Sequence, residues 1–273
     1  MKIERKEIKW HVLMWIVVIF LLIPIVFAIS NSFKTISDAM NNVFNLIPEE
    51  FTLKNYKYVF KRLPFFQIVM NTFTVAFTVT LFKLLTSILT AYSLVFFNLK
   101  YKNFIYYLLL STMFIPFTVT MIPNYMTISA MGFRDNIIGV ILPQMADALG
   151  IFLIRQAMRT IPKSLIEYAH LEDIGNMRTI KDIVIPLTKP AITSTGIIFF
   201  INSWNEYVWP VLILKSKENY TLSLALQMFI SSEGGTEFTI AMAVSVLTMI
   251  IPLILYIVFQ KYIIDTFSFS GIK

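Results

Sequence analysis

The sequence has no cysteine and only two histidines in 273 residues. The first absence excludes disulfides and thiolate chemistry. The second leaves no paired metal-ligand spacing, because His11 and His170 are far apart. Charge is scarce as well: 14% of residues are Asp, Glu, Lys or Arg, against about 25% in a soluble domain. No G-x-x-x-x-G-K-[ST] motif is present, so the usual backbone cradle for ATP phosphates is missing. The apolar runs also contain no cluster of nucleophile, base and metal ligands, which argues against an intramembrane enzyme. What is abundant is hydrophobicity, at 57% of residues and a mean hydropathy of +0.71. Polar side chains are too few to cover a soluble globule of this size, so the sequence describes an all-α integral membrane protein.

Apolar runs mark six spans. The first covers about residues 11–29 and follows the charged stretch Lys2–Lys9. It is longer than the roughly 7–15 residues of a signal-peptide core and lacks a small-x-small cleavage site, so it reads as an uncleaved span. Residues 31–66 are mixed in polarity and are expected outside. The second span covers about 67–97, the third 104–126 with Pro116 and Pro123, and the fourth 136–157, interrupted by Pro143 and Gly150. Prolines at membrane depth are tolerated where protein or a cavity satisfies the freed carbonyls, so the third and fourth spans are expected to face protein or a pathway. The fifth is expected at 191–214 and the sixth at 238–259, separated by a polar external stretch with Ser231-Ser232-Glu233-Gly234-Gly235. With the amino end inside, internal segments hold fourteen Lys and Arg (Arg155 counted with the loop after span four) and external ones eight. That bias places both termini in the cytoplasm of a multi-pass cell (plasma or inner) membrane protein. It also explains the net charge of +7 without nucleic acid.

The chain is organised around the polar stretch 159–190 between spans four and five. Apolar residues recur there at helical spacing: Leu165, Ala169 and Leu171 before Gly175, then Met177, Ile180 and Ile183 after it. This predicts two short amphipathic helices meeting at a glycine and closed by Pro186. A connection of that length usually has a function, although a solvated surface loop is the competing reading.

The residues Glu167-Tyr168-Ala169, Glu172, Gly175, Ile183, Pro186 and Pro190 resemble the EAA loop of ABC importer permeases. The resemblance runs from about Asn71 to the end. It includes Asn71-Thr72-Phe73, Met121-Ile122-Pro123, Gly132 with Asn136, Ile161-Pro162-Lys163-Ser164-Leu165, Ser203-Trp204-Asn205-Glu206-Tyr207 and Phe259-Gln260-Lys261-Tyr262. It is similar to the carbohydrate-uptake permeases of maltose type and, nearer, of glycerol-3-phosphate type. Lys83, Arg155-Gln156, Met177-Arg178, Asp182-Ile183-Val184 and Gly234-Gly235-Thr236-Glu237-Phe238 carry the latter. Such a resemblance implies six spans with a cytoplasmic coupling loop between spans four and five, and a permease core at 67–273 after an amino-terminal region at 1–66. It implies ATPase coupling through Ser164, Glu167, Tyr168, Ala169, Glu172, Asp173, Gly175 and Pro186. The implied partners are a second, homologous permease, two copies of an ABC ATPase and an extracytoplasmic binding protein. No cofactor is expected on this chain, since ATP and Mg would sit on the ATPase. The departures are Tyr168, where the family has Ala, and Asp173, where it has Gly; the hinge is therefore expected two residues later, at Gly175. Glu167 also complements a helix dipole near a helix start, which is its structural explanation.

A cation in a span is a candidate functional group, and Lys83 lies near the middle of span two. A phosphate-bearing solute would pair with it, whereas a carboxylate partner, Asp147 or Glu206, would make it a lock between helices. Asn202, Trp204, Asn205, Glu206 and Tyr207, with Trp209 beyond them, combine ring faces with hydrogen-bonding groups, which suits a sugar-lined passage and equally an interfacial aromatic belt. A secondary transporter is the rival from another class, but no internal repeat supports it.

Overall fold

The computed structural model describes residues 5–230 and 238–269, with side chains over 8–229 and 238–261. The external stretch expected around residues 231–237, Lys2 and the end of the tail lie outside the described residues. Among those described, every regular element is helical. Contacts divide the chain into two units, Met1–Phe65 with Leu224–Ile251 and Phe66–Ser223 with Pro252–Lys273.

In the first unit, α1 (Arg5–Ser32) is apolar all round and leaves its length from Ile8 to Ile23 exposed, as a helix facing lipid does. After it come α2 (Ile36–Asn41) and α3 (Lys54–Arg62). This connection is held by buried polar groups. Lys34, fully buried, donates from Nζ to the carbonyls of Asn42 at 2.7 Å and Asn45 at 2.6 Å. Asn55 donates to the carbonyls of Ser32 and Lys34, each at 2.8 Å, and accepts from the Thr239 hydroxyl at 3.1 Å. Buried donors and acceptors that found no partner would cost more than these bonds contribute, so the network fixes the segment.

The second unit carries α4 (Phe65–Phe96), α5 (Lys102–Ser111, extended by a 3₁₀ turn to Phe114) and α6 (Phe117–Ala130). It continues with α7 (Ile137–Ile141), α8 (Ala148–Met158), α9 (Lys163–Leu171), α10 (Asn176–Thr179), α11 (Ile185–Asn205) and α12 (Val208–Ile213). The last two helices, α13 (Leu222–Ile230) and α14 (Phe238–Phe269), straddle the two units. Among the described residues, four helices are long and apolar enough to cross a membrane: Ile8–Ser32, Phe65–Phe96, Asn176–Asn205 and Phe238–Lys261. Two bent pairs bring the number to six if each is one span.

The structure corrects several expectations. The third span is not continuous: α5 and α6 meet at 96°, because Ile115 is extended (φ −83°, ψ 112°) ahead of Pro116. The fourth is interrupted after Pro143 as expected, by a bend of 48° between Gln144 and Ala148. Gly150 is no interruption but a point of close approach; a Cβ there would meet the Ser87 hydroxyl at 2.4 Å and the Phe199 ring at 2.6 Å. The fifth span begins at Asn176 rather than near Ala191 and ends at Asn205 rather than Leu214. Pro186 therefore closes nothing. It lies in the first turn of α11, just after a π turn (Ile180–Val184), and Pro190 is carried inside the helix.

Candidate functional site

Helix α9 begins directly after Pro162, whose fixed φ suits a helix entry. It turns Ile166 and Ala169 inward, where Ile166 joins a core made by Ile88, Ala91 and Tyr92 of α4, Ile154 and Met158 of α8, and Ile180 and Val184. The other face is bare. Ser164, Glu167 and Glu172 are exposed, and so are Tyr168 at 69% and Leu171 at 81%.

The helix ends in a Schellman closure: the amide of Ile174 donates to the Ala169 carbonyl at 2.9 Å and that of Asp173 to the His170 carbonyl at 3.1 Å. Asp173 takes the left-handed position with φ +54°. The hinge expected at Gly175 is thus at Asp173, because Asp tolerates this region better than most residues with a side chain. Gly175 is extended (φ −63°, ψ 152°), and a Cβ on it would meet nothing within 4 Å. Asp173→Gly should consequently raise the melting temperature slightly in a detergent thermal melt. Asp173→Val should lower it, through a strain of about 1–2 kcal/mol. On leaving the turn, Asn176 accepts from the Tyr92 hydroxyl at 3.1 Å, tying α10 to the end of α4. The Arg178–Asp182 pair at 3.3 Å is exposed and contributes little.

Farther along α4, Lys83 meets Asp147. Its Nζ lies 2.9 Å from Oδ2 and 5.0 Å from the centre of the Phe199 ring. Asp147 also caps α8, its Oδ1 accepting from the Leu149 amide at 2.9 Å. One side chain thus joins α4, the start of α8 and α11. Glu206, the other suggested partner, instead caps α12 by accepting from the amides of Val208 at 2.9 Å and Trp209 at 3.2 Å. The aromatic and amide residues expected along a passage do not share one surface. Trp204 is fully buried, stacked on Phe200 at 5.7 Å, while Asn202, Asn205 and Tyr207 are exposed. Trp209 is buried with its Nε1 donating to the Gly139 carbonyl at 3.1 Å.

The end of this unit opposite α9 is clasped by a residue that the sequence did not single out. Asp135, between α6 and α7, accepts from the Ser216 hydroxyl and from the amides of Lys215 at 2.9 Å and Ser216 at 3.0 Å. Nearby, Asn71 donates to the carbonyls of Glu218 at 2.7 Å and Tyr220 at 3.2 Å. From Asn71 to Tyr92 the helix rises roughly 31 Å, about the thickness of a hydrocarbon core. The Asp135 clasp and the α9 turn therefore lie at opposite ends of a membrane-crossing helix. The Ser216 hydroxyl and the two amides hold the Asp135 carboxyl well below the usual carboxylate range. A depressed folded-state value stabilises the clasp above about pH 4 and gives way only as pH falls through that lower value. Protection of residues 214–220 from proteolysis should accordingly be flat from pH 8 to 5 and fail only in strong acid, whereas Asp135→Ala should expose them at neutral pH.

Residues 83–267 match the family model described as binding-protein-dependent transport system inner membrane component. The chain belongs to this family. Among its relatives is the sn-glycerol-3-phosphate transport system permease protein UgpE of Yersinia pestis bv. Antiqua (strain Antiqua), 31% identical over 265 residues and 94% of each chain. The UgpE of Escherichia coli O1:K1 / APEC is 34% identical over 199 residues, covering 72% of this chain and 71% of the relative. A solved bacterial ABC transporter involved in the import of the acidic polysaccharide alginate contains a chain of the same fold. It is 24% identical with a TM-score of 0.84, over 96% of this chain and 99% of that one. The permease is thus the membrane component of an ABC importer, and an ion-coupled transporter is not favoured. Within the matched stretch lie both the Lys83–Asp147 pair and the α9 turn. A permease of this family works with another permease, an ATPase and a binding protein.

Proposed function

We propose that this permease imports a sugar-like or sugar-phosphate solute of the glycerol-3-phosphate class, forming half of a pathway completed by a second, homologous permease. The names of its relatives support that class of solute. Two copies of a cytoplasmic ATPase take up the α9 turn, both termini are cytoplasmic, and a binding protein delivers solute at the Asp135 end. Residues 67–273 form the permease core and 1–66 add an amino-terminal span. The observation that carries the coupling role is the shape of α9. Its inner face is packed into the ends of α4 and α8, and its outer face presents Glu167, Tyr168 and Leu171 to a partner. Force on such a turn passes to the spans instead of being absorbed by a loose loop. Ser164, Ala169, Glu172, Asp173, Gly175 and Pro186 shape the turn and its exit, with Ala169 on the packed face. Nucleotide binding closes the ATPases, the turns move together, and the paired permeases alternate between outward and inward openings. The chain itself performs no bond chemistry and holds no cofactor, since ATP and Mg belong to the ATPase.

In this reading Lys83 is a lock between helices, because Asp147 already neutralises it. Asn202, Asn205 and Tyr207 face the pathway, and Trp204 and Glu206 hold the backbone that presents them. The test is uptake by proteoliposomes containing the full transporter with ATP enclosed. Labelled glycerol-3-phosphate or a sugar should accumulate only with ATP and binding protein present. Accumulation driven by a sodium or proton gradient without the ATPase would contradict the proposal.

A further inference from the structure

A second site lies beside the α9 turn, at the membrane boundary. A cavity of about 700 Å³ opens between the end of α4, the start of α5 and the end of α8, within the roughly 300–1,000 Å³ usual for small-ligand pockets. Four cations line it: Lys102, Arg155, Arg159 and Lys163. Among the described residues, the lining contains no acidic side chain and none of the four belongs to an ion pair. Arg155 stacks on Tyr106, its guanidinium carbon 3.9 Å from the ring centre. Its Nε is buried and has no hydrogen-bond partner among the described residues. A guanidinium kept partly out of water with an unused donor is costly unless an anion completes it. A smaller adjoining cavity shares Lys102 and Lys163 and is lined also by Glu167 and His170.

We propose that this cavity binds the phosphate of an anionic phospholipid headgroup. The charge complementarity asks for a phosphate: guanidinium groups match its oxygens in paired hydrogen bonds, and lysines add point charge. A free phosphate satisfies the same groups, but the remaining walls favour a lipid. Leu94, Leu110 and Phe152 supply apolar surface next to the cations, and Tyr106 and Tyr107 are the amphipathic rings typical of headgroup depth. The depth agrees as well, since α4 ends at Phe96, α5 starts at Lys102 and α8 ends at Met158, all at one end of the bundle. Basic pockets between membrane helices are a recurring way to hold anionic headgroups on the cytoplasmic leaflet. A bound lipid would steady the junction of α8 and α9, the joint through which the coupling turn moves its span. Headgroup binding itself does not depend on which solute is carried.

The experiment uses the assembled transporter, purified and exchanged into detergent with phosphatidylglycerol or phosphatidylcholine, with retained lipid counted by native mass spectrometry. Arg159 and Lys163 are both exposed, so the double variant Arg159→Gln/Lys163→Gln should fold; Arg155→Gln is the second variant. The wild type should retain phosphatidylglycerol in preference to phosphatidylcholine, and the double variant should bind it roughly 30-fold more weakly. Millimolar inorganic phosphate should not displace it. Equal retention by wild type and double variant would overturn the proposal. Displacement by inorganic phosphate would assign the cavity to the free ion, and retention that vanishes only when the ATPase is removed would assign it to the protein interface; either result overturns the lipid reading.

Discussion

Asp147→Leu should sharply reduce the amount of permease in the membrane. The change leaves Lys83 without its partner in a span, and breaking such a pair costs about 3 kcal/mol or more, some hundredfold in the folded fraction. The pair is largely but not wholly withdrawn from solvent, with 15% and 27% of the two side chains accessible, so the lower part of that range applies. Asp147→Leu also removes the cap on the Leu149 amide, worth about 1 kcal/mol more. The double variant Lys83→Met/Asp147→Leu should recover most of the pair's share, because two apolar groups of similar size replace it. Immunoblots of membranes and thermal melts of the three variants measure this directly. If Lys83→Met lost uptake while keeping its abundance, the lysine would be touching solute and the lock would be the wrong description.

The second large effect falls on coupling and leaves folding alone. Tyr168→Asp and Leu171→Asp alter exposed side chains on a helix whose packed face is untouched, so abundance should stay within about 0.5 kcal/mol of wild type. An aromatic or apolar anchor buried at an interface is worth about 2 kcal/mol, so each change should weaken ATPase association roughly 30-fold. The pair of changes should remove both copurification and uptake. Reduced abundance with coupling preserved would move these residues from the partner's groove to the permease's own packing.

The helical class, the places of the first, second and sixth spans and the polar turn were legible because each rests on a strong local signal: a long apolar run, or apolar residues recurring at helical spacing within a charged stretch. Pro116 was legible only as a proline and Pro143 as an interruption, but neither bend angle was, because the angle depends on what packs against each half. The fifth span was misplaced for a related reason. Arg178, Lys181 and Asp182 look like loop composition, yet they lie on the exposed side of a helix whose other side, Ile180 and Val184, is core. The hinge was placed at the glycine because backbone freedom is the usual guide, whereas the closure needed a left-handed residue at one fixed distance from the helix end, and Asp173 stands there. For Lys83 the composition offered two carboxylates; both cap a helix, and only the fold shows that the second oxygen of Asp147 lies within reach of the lysine. Trp204 and Trp209 read as lining residues by type, but large rings are also the best core fillers, and that is how both are used. Asp135 gave no signal at all, since its partners are some eighty residues away in sequence.

The central claim is that the α9 turn faces the cytoplasm and is covered there by an ATPase. Because the chain has no cysteine of its own, Leu171→Cys supplies a single thiol for labelling with a membrane-impermeant maleimide. The thiol should react in inside-out vesicles stripped of ATPase, become protected when the ATPase is restored, and stay unlabelled in intact cells. Labelling from the outer face of intact cells, or labelling in inside-out vesicles that the ATPase leaves unchanged, would contradict it.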